Sequence, residues 1–74
     1  MPIKLVKPTK NDIGLVQCRL NEGRVVHARY RGQSVLVVRV RPEGVVIVMG
    51  DDKFIVPNRN IKLVYDLQLS LRTE

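Results

Sequence analysis

The sequence predicts an all-β protein: a small, strongly bent barrel of five to six strands with a further strand extending from its C-terminus. Three observations carry that prediction. The 74 residues include 13 Val and 5 Ile but a single Ala, Ala28, and branching at Cβ restricts χ1 in a helix while suiting a pleated surface. Short apolar runs are punctuated by Asn21-Glu22-Gly23, Gly32-Gln33-Ser34, Pro42-Glu43-Gly44 and Gly50-Asp51-Asp52, all of turn composition. From Ile61 onward Ile61, Leu63, Tyr65, Leu67, Leu69 and Leu71 alternate with Lys62, Val64, Asp66, Gln68, Ser70 and Arg72, a period of two that a strand has and a helix lacks.

Taken in order, the first apolar segment is Ile3 to Val6, followed by a loop from Pro8 to Asp12. A strand is expected from Ile13 to Leu20, in which Cys18 alternates with Val16 and Leu20 as a small core residue. Asn21-Glu22-Gly23 then suits a type I turn closed by a left-handed glycine, and the chain returns from Arg24 to Arg31. Val35 to Arg41 is the next strand. Pro42 presets φ for its turn and Gly44 supplies the left-handed position. Val45 to Met49 is nearly all apolar and reads as the most buried strand, and Gly50-Asp51-Asp52 turns it into Lys53 to Val56. Pro57 lacks the N–H that a central strand needs, so Pro57-Asn58-Arg59-Asn60 is read as an interruption with one helical turn. Ile61 to Tyr65 closes a barrel spanning about 13–65, and 66–74 forms the extension strand of one domain, 1–74. Closure removes free edges that this much Val and Ile would expose to aggregation.

A chain of this length buries roughly 60% of its unfolded surface, near the lower limit for an independent core. Its lone Cys18 forms no internal disulfide, and one Cys with one His makes no structural zinc site. No cofactor or metal is expected; a reducing compartment and a homo-oligomer are. There is no apolar run of about 18 residues, and Met1-Pro2-Ile3-Lys4 lacks the apolar stretch of a signal peptide. The expectation is a soluble, cytoplasmic protein without a membrane partner. The net charge of +6 is unevenly placed: 1–41 holds nine Lys or Arg against Asp12 and Glu22, or +7, and 42–74 holds four against five, or −1.

Glu43-Gly44-Val45-Val46-Ile47-Val48-Met49, the acidic turn Gly50-Asp51-Asp52, and Phe54-Ile55-Val56-Pro57 leading to Ile61-Lys62-Leu63-Val64 resemble the second half of an SH3-like barrel. Within that class the segment looks most like the C-terminal domain of retroviral-type integrases. The resemblance implies a basic barrel that binds DNA without strong sequence preference. A second stretch, Leu15 to His27 with Asn21-Glu22-Gly23-Arg24 at its centre, is similar to the opening of the Sm-like fold, which builds RNA-binding rings. Three features of that fold are not read here: an N-terminal helix, Asp-x-Met-Asn after the second strand, and Arg-Gly near Asn58-Arg59-Asn60.

Arg29 and Arg31, with His27, share one pleat face of their strand by parity, and Arg39 and Arg41 share one face of the next with Val35 and Val37. If the faces coincide, four guanidinium groups and an imidazole make a ridge that neutralises phosphates and releases counterions. Arg outnumbers Lys eight to five, and its planar fork suits oxyanions. Lys4, Lys7, Lys10 and Arg59 could extend this surface. Tyr30 points to the other face, so base stacking is weak. Gly50-Asp51-Asp52 is turn chemistry, and nothing resembles a nucleophile elbow, a phosphate-binding glycine loop or an acid/base pair. The expected function is non-enzymatic, low-specificity binding of nucleic acid, DNA or RNA, with no small-molecule substrate. The alternative is a structural or protein-interaction module, for example a subunit of a phage or multi-protein assembly. Leu67, Leu69 and Leu71 overhang the barrel in this reading; the overhang is expected to pair with Ile3 to Val6 of its own chain or, the favoured case, with a neighbouring subunit, which makes them the expected oligomerisation residues.

Overall fold

The computed structural model describes residues 3–74, and the opening Met1-Pro2 lies outside them. The elements are β1 (Ile3–Val6), α1 (Lys10–Asn21), β2 (Val26–Tyr30), β3 (Gln33–Arg41), β4 (Gly44–Met49), β5 (Asp52–Val56), a single 3₁₀ turn (Asn58–Asn60) and β6 (Ile61–Asp66). All pairings are antiparallel, and one six-stranded sheet runs β1-β6-β2-β3-β4-β5. The all-β, barrel-like fold class read from the sequence is therefore present, with one helix added. Among the described residues no helix is long and apolar enough to cross a membrane.

That helix corrects the expected strand from Ile13 to Leu20. The chain's β-branched residues are concentrated elsewhere: within Lys10–Asn21 only Ile13 and Val16 are branched at Cβ, among good helix formers such as Leu15, Gln17, Arg19 and Leu20. Its start is a capping box. The Asp12 N–H donates to the Thr9 hydroxyl at 3.3 Å, and the Asp12 carboxylate accepts from the Thr9 N–H at 2.9 Å. Its end is a Schellman motif: Gly23 N–H bonds the Leu20 carbonyl and Arg24 N–H the Arg19 carbonyl, with Gly23 at φ 84°. Asn21-Glu22-Gly23 thus stops a helix and does not turn a hairpin. Val16 is fully buried against the sheet while Cys18 is exposed, so the expected core role of Cys18 is also corrected: a helical period places it on the solvent side.

The hairpins follow their turn residues. Arg31 and Gly32, at φ 51° and 76°, form a two-residue turn between paired Tyr30 and Gln33, the type I′ geometry that matches strand twist. Pro42-Glu43 joins β3 to β4, and Gly50-Asp51 joins β4 to β5. Gly44 is buried, and a Cβ there would overlap the Val56 carbonyl oxygen and lie 2.8 Å from its carbon. The β3–β4 register shifts between Val37 and Arg39. This bulge at Val38 keeps Val35, Val37 and Val40 turned to the core and sends Arg39 and Arg41 outward to exposed positions. Strict parity would have put both arginines on the face of Val35 and Val37.

The core joins Val16 to Val26, Ala28, Val35, Val37, Val45, Ile47, Val56, Ile61 and Leu63, all at most 3% exposed. Burying a Val or Leu side chain stabilises the fold by roughly 1.5–3 kcal/mol each. Tyr65 ties the helix to this core through a 2.7 Å hydrogen bond from its hydroxyl to the Asp12 Oδ1. Burial, and then that bond to a carboxylate, pushes the Tyr65 hydroxyl from 10 up to about 12. The Asp12 carboxyl is held below its usual value by the Thr9 backbone N–H first and by Tyr65 second, against a smaller opposing effect of burial.

The extension strand expected at 66–74 is corrected as well. The Asp66 carboxylate accepts from the Gln68 N–H at 2.9 Å and the Ser70 N–H at 3.0 Å, Leu69 takes a left-handed φ of 59°, and the chain reverses. The returning segment enters the seam between β2 and β6. Arg72 N–H donates to the Val64 carbonyl, while the Arg72 carbonyl accepts from His27 N–H and Val25 accepts from Glu74 N–H. Leu71 is buried in its own core at 5% exposure, whereas Leu67 and Leu69 remain exposed at the tip. The radius of gyration, 11.0 Å, matches the ~11 Å expected for a compact chain of this length, as a docked tail requires.

Candidate functional site

Alternation along the strands divides the sheet into a core face and an outer face, and the basic residues gather on one part of the outer face. Lys62, Arg29 and Ser34 form a row across β6, β2 and β3, since Arg29 pairs with Lys62 on one side and Ser34 on the other. Two residues along, about 7 Å away, His27 lies opposite Leu36, which in turn lies opposite Val48. The tail inserts Arg72 into this second row, between Val64 and His27, through the two backbone bonds described above.

Three concavities run along these rows and share residues. One of about 160 Å³ is lined by Ile3, His27, Ala28, Arg29, Ser34, Val64 and Arg72. A second, about 270 Å³, shares Arg29 and adds Leu5, Arg31, Gly32, Asn60 and Lys62. The third, about 310 Å³, shares His27 and Ser34 and continues over Val35, Leu36, Val48 and Gly50. Among the described residues Arg29, Arg31, Lys62 and Arg72 line this track and no carboxylate does. Its donors are guanidinium, ammonium, imidazole, hydroxyl and amide groups, the inventory that binds oxyanions.

The expected cluster is thus partly assembled. His27, Arg29 and Arg31 share the track. Arg31 stands at the hairpin tip with its guanidinium 5.3 Å from the centre of the Tyr30 ring, a cation–π contact that positions it. Arg39 and Arg41 lie apart: Ser34 pairs with Arg29, and Arg39 is five residues farther along β3, a path of roughly 16 Å. The four arginines do not form one ridge, because β3 carries the second pair to the opposite hairpin. Arg59 is exposed in the 3₁₀ turn, and its neighbour Asn60, not Arg59 itself, lines the track. Lys62 and Arg72 were not singled out in the sequence. Lys62 was legible as the polar partner of Ile61 and Leu63, whereas Arg72 required knowledge that the tail turns back.

Tyr30 faces the core, as parity predicts, and meets Phe54 edge to face with ring centres 5.9 Å apart. The track therefore has no aromatic platform for stacking bases. Among the described residues no group of three or more His, Cys, Asp or Glu side chains is placed to hold a metal ion. The chain matches no protein-family model, no curated protein and no solved structure.

Proposed function

We propose that this protein is a non-enzymatic nucleic-acid-binding module that holds the phosphate backbone of DNA or RNA along the outer face of β6, β2 and β3, with little dependence on base sequence. The observation that supports this reading is the continuous track lined by Arg29, Arg31, Lys62 and Arg72 without a carboxylate. Cationic forks and amide donors neutralise phosphates and release condensed counterions, which supplies affinity without reading bases. The lack of a stacking aromatic on the track favours backbone contacts over the base stacking of single-strand binders. The resemblance noted in the sequence to the SH3-like integrase domain implies the same class of partner.

Fluorescence anisotropy with a labelled random 20-mer, single-stranded and duplex, tests the reading. Binding at low salt should weaken steeply as salt rises, and Arg29→Ser with Lys62→Ser should reduce it. Absence of binding at low salt, or binding indifferent to salt, overturns it.

A second reading rests on Leu67 and Leu69, exposed to 78% and 64% at the tip of the tail loop. Two exposed apolar side chains on one loop fit contact with another chain, in a homo-oligomer or a larger assembly. Light scattering of the Leu67→Ser, Leu69→Ser double variant should then give a smaller mass than the parent, and an equal mass removes the role of these residues.

A further inference from the structure

The smallest of the three concavities differs from the others in having a wall that is not part of the sheet ladder. Its strand wall is β2, which contributes His27 and Arg29, and Ser34 faces them from β3. Its opposite wall is the returning tail, which contributes Arg72. The tail sits where the β2–β6 ladder opens: that ladder runs from Tyr30–Ile61 to Ala28–Leu63, and β6 then turns its other edge to β1 from Leu63 to Asp66. In the gap, the tail satisfies Val64, His27 and Val25 through the Arg72 and Glu74 backbone. Leu71 anchors it from the core side, while Arg72, next in alternation, points outward.

We infer that this concavity seats one phosphate group, and that the C-terminal tail and the phosphate bind each other's neighbourhood cooperatively, the tail completing the seat with Arg72 and the bound anion holding the tail in its seam. The volume, about 160 Å³, admits a single phosphate with its ordered water. Three cationic or hydrogen-bonding side chains from two strands and one guanidinium from the tail converge on it, and none of its lining residues is acidic. A docked tail presents Arg72 beside His27, one strand spacing away, about 5 Å, whereas a released tail carries it off. Any ligand that binds the docked form better than the released one must shift the population toward docking. This inference rests on the reading of the outer face as a phosphate-binding surface and adds where a phosphate is held and what it controls.

Hydrogen exchange of the full chain tests it, read at the amides of His27, Arg72 and Glu74, whose bonds all break when the tail leaves. The probes are inorganic phosphate, a 5′-phosphorylated 10-mer and the same 10-mer with a 5′-hydroxyl, compared with chloride at equal ionic strength. At a ligand concentration of 100 times Kd, exchange through tail release should slow about 100-fold. In Arg72→Ser the slowing should vanish, and in Arg72→Lys it should return in part. A larger effect of the 5′-phosphorylated strand or of inorganic phosphate assigns the seat to a terminal or free phosphate, and equal effects of the two strands assign it to the internal backbone. If the 10-mers bind with a salt dependence but the three amides exchange as in chloride, the tail coupling is wrong and the general phosphate reading stands. If phosphate slows the amides and neither 10-mer binds, the seat stands and the nucleic-acid reading falls. If neither effect is seen, both fall.

Discussion

Replacing Tyr65 by Phe removes one oxygen and leaves the ring that fills the core, so it isolates the bond between β6 and α1. The hydroxyl donates to a carboxylate at 2.7 Å. Such charge-assisted bonds contribute about 1.5–3 kcal/mol, and the lower end applies because Asp12 is only half-buried and retains its Thr9 donors. A loss of ~1.5 kcal/mol is substantial for a domain of this size, whose total stability is of order 4–11 kcal/mol, and lowers Tm by roughly 6–12 °C. The pH dependence adds a second signature. Unfolded Tyr65 releases its proton near 10 and the folded protein holds it to about 12. The contribution is therefore complete below pH 10 and is lost as pH rises through 12, with burial the larger cause. On the acid side, the folded Asp12 carboxyl lies below its ordinary 3.8; its contribution is complete above that value and is lost as pH falls below it. Urea unfolding followed by circular dichroism, at pH 7 and at acid pH, measures the first effect. Ultraviolet titration of the phenolic groups measures the second, since Tyr65→Phe should delete a component titrating near 12. A variant within ~0.3 kcal/mol of the parent at pH 7, or a deficit that persists undiminished at acid pH, refutes the assignment of the bond as the tie between helix and sheet.

Other perturbations test other parts of the structure. Gly44→Ala drives a Cβ into the Val56 carbonyl and should cost about 1–3 kcal/mol or more, measured by the same unfolding assay. Thr9→Ala removes the helix cap and should cost about 1 kcal/mol, with hydrogen exchange accelerating in the first turn of α1 and not in β4. Arg31→Asn relaxes a left-handed position in the type I′ turn and should stabilise by ~0.5 kcal/mol, while weakening oligonucleotide binding measured by anisotropy at low salt.

The strands were legible because their signals are local. Turn residues sit between the Val-rich runs, and Pro57 marks the break before β6, so the hairpins from β2 to β5 and the closing strand lie close to where the sequence places them. The helix was obscured by weighing the chain's β-branched total over its local distribution. Thr9 with Asp12, followed by Ile13, Val16 and Leu20 and closed by Gly23, carries both cap signals and a helical apolar spacing. Alternation from Ile61 to Leu71 was real in the sequence and misleading in space, because one carboxylate, Asp66, folds the next four residues into a reversal that periodicity does not register. Leu71 then returns to the core, which is why it sits in phase with Tyr65. For the basic surface, parity places His27 and Arg29 correctly; strict parity puts Arg39 and Arg41 on the core face with Val35 and Val37, the bulge at Val38 turns them outward, and the length of β3 still keeps them apart from Arg29. Arg72 entered the site only through the folded tail.

The proposed phosphate binding by the β6–β2–β3 track is distinguishable from attraction to the basic chain as a whole. The most direct measurement is the salt dependence of oligonucleotide affinity for three proteins: the parent, Arg29→Ser with Lys62→Ser, and Arg39→Ser with Arg41→Ser. Each pair removes two charges, so long-range attraction changes equally and only local contacts differ. The track variant should lose affinity and about two phosphate contacts' worth of salt slope, and the hairpin variant should keep a slope close to the parent's. An equal loss in both variants, or a larger loss in the hairpin variant, would contradict it.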